Sequence, residues 1–274
     1  MIRLEKRQYI KWFPLFLASL SLGLSLCISA CSGYRQGRES GVAAGASKPV
    51  QIAGCYSNMY YNEEGGDLLD FEFVIVPSPS GYLVLYQEAG GSPFEPQLLP
   101  IQVEGASIHF TIPSDGRNDE FTGTIKSDRL IGEFIYNASQ QKVVLKRKSS
   151  YWIWDTESPH MNGCYSNIHY DRASGNVYGY KFLIVLGPWD DELQYFLLYQ
   201  HFENGKADVS LLMPIDKREK KEGKEIKDYS IRFTLPQDNP HHGEFQGVIT
   251  ADGLTGQFSD GEPILLKRSK ECCQ

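Results

Sequence analysis

Gly54-Cys55-Tyr56-Ser57-Asn58 occurs twice, returning as Gly163-Cys164-Tyr165-Ser166-Asn167, and each copy opens a run in which the same landmarks follow in the same order. Phe71-Glu72-Phe73-Val74-Ile75-Val76 answers to Tyr180-Lys181-Phe182-Leu183-Ile184-Val185, and Leu85-Tyr86-Gln87 to Leu198-Tyr199-Gln200. Ile108-His109-Phe110-Thr111-Ile112-Pro113 answers to Ile231-Arg232-Phe233-Thr234-Leu235-Pro236. The pattern Phe121-x-Gly123-x-Ile125-x-x-Asp128-x-Leu130-x-Gly132-x-Phe134 recurs from Phe245 to Phe258 with every spacing kept, and both copies close on Leu-Lys-Arg, at 145–147 and 266–268. Two meandering β-segments share alternation by chance, but not a five-residue string together with a fourteen-residue pattern. The chain is a tandem duplication, and that fixes its architecture before any strand is assigned.

Composition favours β-structure: 16 Tyr, 14 Phe and 26 Gly, with prolines spread among turns and no long stretch of helical periodicity. The first repeat holds eight short strand candidates, centred on Tyr56, Phe73, Leu85, Leu98, Phe110, Thr124, Phe134 and Leu145 and separated by Gly, Pro, Asp or Ser. Phe71, Phe73 and Ile75 fall on one face and Glu72 begins the other, which predicts a half-buried sheet; Tyr180, Phe182 and Ile184 repeat this against Lys181. Gly132 and Gly256, inside strands, predict bends or a close backbone approach. The expectation is an all-β chain of two tandem, small, antiparallel meander barrels of about eight strands, over residues 51–150 and 151–274. Eight antiparallel strands enclose an interior just wide enough to be filled by side chains or to hold one small ligand.

On these residues the repeats resemble the calycins, the lipocalin and avidin group of small barrels. That group begins with Gly-x-Trp on its first strand and often sets a basic residue from late in the chain across the ring. Gly54-x-Tyr56 with Arg147, and Gly163-x-Tyr165 with Arg268, fit that plan with Tyr for Trp, whereas the lipocalin Thr-Asp-Tyr motif is missing. The resemblance implies the architecture, with a structural cation–π plug at one end of each barrel.

The start of the chain carries an address. Arg3, Lys6, Arg7 and Lys11 stand against the single acid Glu5, and from Phe13 to Ala30 there is no charge, the pattern of a secretory signal. The segment ends Ile28-Ser29-Ala30-Cys31, which resembles the lipobox of bacterial lipoproteins. That resemblance implies a signal peptide over 1–30, cleavage before Cys31, and diacylglycerol and fatty-acid modification of Cys31 as the first mature residue. Ser32 rather than Asp at the next position implies the outer membrane by the enterobacterial rule. Residues 31–50, rich in Ser, Gly and Ala, predict a flexible tether with a reach of roughly 25 Å.

Of 27 Lys+Arg and 34 Asp+Glu, residues 1–30 hold four and one, so the mature chain keeps 23 against 33, a formal charge of −10. This balance argues against nucleic acid as a partner and against membrane binding by charge, leaving the acyl chains to hold the bilayer.

The repeats diverge in loops such as 187–192 and 217–228. Nine residues are inserted in the second copy, within Lys217–Asp228, a stretch of six basic and four acidic side chains expected to form a solvated hairpin tip, with an anionic partner at that tip as the alternative. The connection Tyr151-Trp152-Ile153-Trp154 is aromatic enough to be expected packed. Cys55, Cys164, Cys272 and Cys273 remain after Cys27 leaves with the signal and Cys31 takes the lipid, and four cysteines allow three pairings. A Cys272–Cys273 bond is strained, which favours joining each first strand to the tail; buried free thiols at 55 and 164 are the alternative.

His241-His242 lies in a turn with no second ligand cluster in register, so no metal site is expected. There is no Gly-x-Ser-x-Gly, His-Glu-x-x-His, phosphate loop or Cys-x-x-Cys. Asp128 and Asp252, the acids matched between repeats, are explained by turn chemistry. No catalytic residue and no cofactor is expected. The sequence predicts a non-catalytic envelope lipoprotein that binds a protein or glycan through its loops. The alternative is a carrier of a small apolar ligand in a barrel cavity. Large aromatics at the inward positions favour the first reading, small residues the second.

Overall fold

In the first repeat Tyr56 stands opposite Phe73 on one side and Arg147 on the other, which joins the first and last strands of the repeat and closes the sheet on itself. The structure, a computed structural model, describes residues 50–274 apart from 115–116, 137–138, 150–160, 190–191, 223–224, 238, 240–241, 260 and 270–274. The signal segment, Cys31, the tether up to residue 49, the Tyr151–Trp154 stretch, His241, Cys272 and Cys273 therefore lie outside the described residues.

The strands of the first repeat are β1 (Gly54–Ser57), β2 (Tyr60–Asn62), β3 (Asp67–Ser78), β4 (Gly81–Gly91), β5 (Gln97–Glu104), β6 (Ser107–Ser114), β7 (Arg117–Ile125), β8 (Arg129–Tyr136) and β9 (Ser139–Lys148). They pair antiparallel in chain order from β3 to β9; β1 bridges β9 and β3, while β2 hangs on β3 alone. This is an eight-stranded meander barrel with one appended hairpin strand. All eight sequence-derived strand centres fall inside observed strands.

The second repeat is built likewise from β10 (Gly163–Ser166), β11 (His169–Asp171), β12 (Asn176–Trp189), β13 (Glu192–Glu203), β14 (Lys206–Pro214), β15 (Asp216–Glu222), β16 (Glu225–Leu235), β17 (Gly243–Ile249), β18 (Gly253–Phe258) and β19 (Ile264–Ser269). Tyr165 stands opposite Phe182 and Arg268. Here β14 and β15 together take the place of β5, since β14 pairs β13 and β15 pairs β16. They join at buried Ile215, whose N–H donates to the Tyr195 carbonyl at 3.0 Å. The inserted residues thus lengthen the β15–β16 ladder, with Lys217 opposite Ile231 and Glu219 opposite Tyr229, instead of forming a loop at its tip.

Alternation puts Tyr56, Phe73, Ile75, Phe110, Phe121, Leu130, Phe134 and Leu145 inside the first barrel, all buried. Tyr165, Phe182, Tyr199, Phe233, Phe245, Phe258 and Leu266 fill the second. The rings interlock: Phe73 lies 5.0 Å edge-on to Phe121 and 5.4 Å from Phe110, while Phe245 lies 4.8 Å from Phe233 and 5.1 Å from Phe258. Edge-to-face and stacked pairs of this kind add to the burial of their area. Gly123 and Gly132 face each other across β7 and β8. A side chain on Gly132 would meet the Phe121 ring at 2.5 Å, so the absence of a Cβ is what lets that ring lie flat against the wall.

The expectation of a half-buried sheet fails on β3. Glu72, Val74 and Val76, on its outer face, are as buried as the inner one. Val74 and Val76 belong to a third core, formed by Cys55, Val74, Val76 and Leu85 with Cys164, Leu183, Val185, Phe196 and Leu198. The reason is that the two barrels dock through the outer faces of matching strands. Gln87 donates from Nε2 to the Leu186 carbonyl at 2.6 Å, and its counterpart Gln200 donates to the Pro77 carbonyl, counterpart of Leu186, at 3.2 Å. Matching residues meeting matching residues is the pattern of an isologous interface, here within one chain.

Candidate functional site

Each residue of the repeated pentapeptide has a mechanical task. Gly54 and Gly163 adopt φ of 152° and 143°, a left-handed region that glycine tolerates, and a Cβ on Gly54 would strike the Arg147 guanidinium at 2.8 Å. Cys55 and Cys164 are buried and each is disulfide-bonded. Tyr56 and Tyr165 are fully buried, and their hydroxyls donate to the Ile52 and Met161 carbonyls at 3.1 and 3.0 Å. Ser57 and Ser166 accept from the N–H two residues on, at 3.1 Å in both copies. Asn167 accepts from the Tyr180 N–H at 2.7 Å, as Asn58 does from Phe71 at 3.3 Å.

Arg147 lies 5.3 Å from the Tyr56 ring centroid. It donates to the Tyr56 hydroxyl and the Gln51 carbonyl, each at 3.0 Å, and to the Ala53 carbonyl at 2.6 Å. Arg268 lies 5.9 Å from the Tyr165 centroid and donates to the Asn162 carbonyl at 3.1 Å. Burial raises the phenol pKa of both tyrosines, Tyr165 to about 12, with the adjacent guanidinium opposing the shift. Every contact here ties strand to strand or strand to entering chain, at the end of each barrel where Gly54 stands opposite Ile75 and Gly163 opposite Ile184.

The opposite end differs between the copies. In the first barrel the Tyr86 hydroxyl donates to Glu88 at 2.7 Å, and burial with that neighbouring carboxylate holds the phenol far above its ordinary range. In the second, His201 replaces Glu88 and pairs through Nδ1 with Asp208 Oδ2 at 2.8 Å, and the buried Tyr199 hydroxyl has no hydrogen-bond partner among the described residues. Tyr180 packs on the imidazole at 4.8 Å. Nothing in the sequence pattern singled out His201 and Asp208, because seven residues and a hairpin separate them. His242 is exposed in the turn before β17.

Sequence reasoning also missed two grooves on the outer walls, at equivalent places. The first spans β5 to β9, about 840 Å³, over Thr122, Thr124, Ile131 and Val144 with Glu104, His109, Glu133 and Lys142 around it. The second spans β15 to β18 and Pro263, about 730 Å³, over Gln246, Val248 and Thr255 with Asp216, Lys217, Arg218 and Arg232 around it. Both lie across the facing glycine pairs, Gly123–Gly132 and Gly247–Gly256. The signal that could have located them is the outward run of Ile131 and Val144, which stay 43% and 49% exposed where solvent-facing strands carry polar residues.

No family model matches this chain, and neither the curated proteins nor the solved structures compared with it contain a match.

Proposed function

We propose that this chain is a bacterial envelope lipoprotein of calycin-like build, held to the membrane, in the Ser32 reading the outer membrane, by acyl chains on Cys31. Its two barrels act without catalysis by binding a protein or glycan partner on their outer surfaces. The observation that carries this reading is the filled interior: interlocked rings occupy the inward positions of both barrels, Phe73, Phe110, Phe121 and Phe134 in one and Phe182, Phe233, Phe245 and Phe258 in the other. A ligand-carrying barrel reserves several hundred Å³ for its cargo. Packing to the density of a protein interior assigns that space to stability instead, and recognition then falls to the walls and rims.

Native mass spectrometry of the mature chain tests the reading. The expected result is the mass of the polypeptide and its lipid alone; a stoichiometric bound metabolite would promote the carrier reading. Cys31→Ser is expected to leave unprocessed precursor without acyl label, and normal cleavage of a labelled variant would remove the anchor from the proposal.

A further inference from the structure

The two outer grooves are one structure with opposite charge. Aligned through the repeat, Glu104 becomes Arg218, His109 becomes Arg232, Glu133 becomes Gln257 and Lys142 becomes Pro263. The first groove is bordered by two carboxylates and one ammonium. The second is bordered by Arg218, Arg232 and Lys217 against the single carboxylate Asp216, in a chain whose formal net charge is −7. Lys217 turns its ammonium over the Tyr195 ring at 4.7 Å, and Arg232 lies 3.7 Å from Glu244, an open contact on an exposed wall. Arg218 and Arg232 then stand against Asp216 in the groove and Glu244 beside it, a more basic border than Glu104, Glu133 and Lys142 give the first groove. Its floor carries the hydrogen-bonding side chains Ser230, Gln246, Thr255 and Gln257 with exposed Val248 among them, and Leu265 stands beside Thr255 on β19. Val248 and Leu265 are 39% and 61% exposed.

Deepening the surface-binding reading, on which it rests, we infer that this groove of the second barrel is the docking site for an extended, acidic segment of a partner protein. An extended chain fits because it sends side chains to one face at every second residue, which lets apolar side chains reach exposed Val248 and Leu265 while polar ones meet the side chains around them. Acidic character follows from the guanidiniums, whose planar forks match carboxylates two bonds at a time. Protein rather than glycan follows from the floor, which bears aliphatic side chains and no aromatic ring to carry a sugar face. Among the described residues the exposed Tyr and Phe rings, Tyr60, Tyr61, Phe94 and Tyr170, lie on β2, on β11 and between β4 and β5 instead.

The test is fluorescence anisotropy on the full mature chain with a labelled peptide of alternating Glu and Val. The matching Lys–Val peptide and heparin serve as competing probes. The acidic peptide is expected to bind, to weaken at least tenfold in Arg218→Glu/Arg232→Glu, and to weaken with added salt. The Lys–Val peptide is expected not to bind this groove. Both arginines are exposed, so the thermal midpoint is expected to hold, which separates lost contact from lost fold. In the converse variant, Glu104→Arg with Glu133→Gln, a second site for the acidic peptide is expected. Absence of acidic-peptide binding, retention of affinity in the double arginine variant, or binding of heparin alone each overturns the proposal. Those failures leave the surface-binding reading standing, whereas a metabolite found inside a barrel sinks that reading without touching the anisotropy result.

Discussion

Single residues in this chain owe their identity to what lies a bond length or two away. Arg147 satisfies three acceptors that would otherwise face only solvent or one another, and losing a charged donor of this kind costs on the order of 1–3 kcal/mol. Arg147→Ala is expected to lower stability by about that much in urea melts, with Arg147→Lys recovering part, because a point ammonium cannot span Gln51, Ala53 and Tyr56 together. Gly132→Ala is expected to cost more than the usual fraction of a kcal/mol, since its methyl would run into the Phe121 ring and the Thr122 carbonyl at 2.5 Å. Lys181 gives a pH prediction. Burial pushes its ammonium pKa from 10.5 down to about 8. From about pH 8 upward the folded chain gives up a proton that the unfolded chain retains, so stability rises with pH. Below pH 8 the cost of holding the charge is fully present. Chemical melts between pH 8 and 9.5, short of tyrosine ionisation, are expected to show this slope, and Lys181→Met to flatten it.

Elements were legible where their chemistry is local. Alternation and Gly or Asp punctuation locate the eight strands of the first barrel, and Gly132 inside a strand signals a close backbone approach, which takes the form of Gly132 facing Gly123. β2 and β11 were missed because three residues ending a hairpin carry too few alternations to register. The outer burial of β3 was misread, though Phe73-Val74-Ile75-Val76 is apolar on both faces, the mark of a strand covered on both sides. The grooves and the His201–Asp208 pair could not be read, since each depends on residues that only sheet curvature or a hairpin return brings together. The charged insertion reads as a solvated hairpin tip because its composition is polar; the register shows that Lys217 to Lys220 are paired strand. Deleting 217–228 removes the rungs at Ser230 and Tyr229. That deletion is expected to destabilise the second barrel, whereas trimming 221–226 at the turn is expected to leave its midpoint nearly unchanged. Differential scanning calorimetry of the two deletions distinguishes strand from loop.

At the scale of the whole molecule the barrels share a core, and residues 48–274 form one compact unit. Separate barrels joined by a linker would melt independently. Here Val74, Val76 and Leu85 on one side and Leu183, Val185, Phe196 and Leu198 on the other are buried only by docking. The full chain is therefore expected to unfold in a single calorimetric transition, and Val185→Asp, far from the interior of either barrel, to lower that transition for the whole. Expressed alone, either half would present this apolar face to water and is expected to self-associate in analytical ultracentrifugation. Cys55, Cys164, Cys272 and Cys273 belong to the same scale. Cys164 stands opposite Ser269, three residues before Cys272. Peptide mapping without reduction is expected to link each first-strand cysteine to the tail, and a peptide joining Cys55 to Cys164 would exclude that arrangement.

The reciprocal glutamine bonds, Gln87 to Leu186 and Gln200 to Pro77, carry a consequence for heredity. In a complex of two identical chains every codon is expressed on both sides, so a change that helps one surface is imposed on its twin. With both halves encoded in one reading frame, the seam can be conserved in duplicate while each outer wall varies alone. That freedom is what allows an acid at position 104 to coexist with a base at position 218 in the same framework. A gene of this form can hold one half constant as a scaffold and use the other to explore new partners.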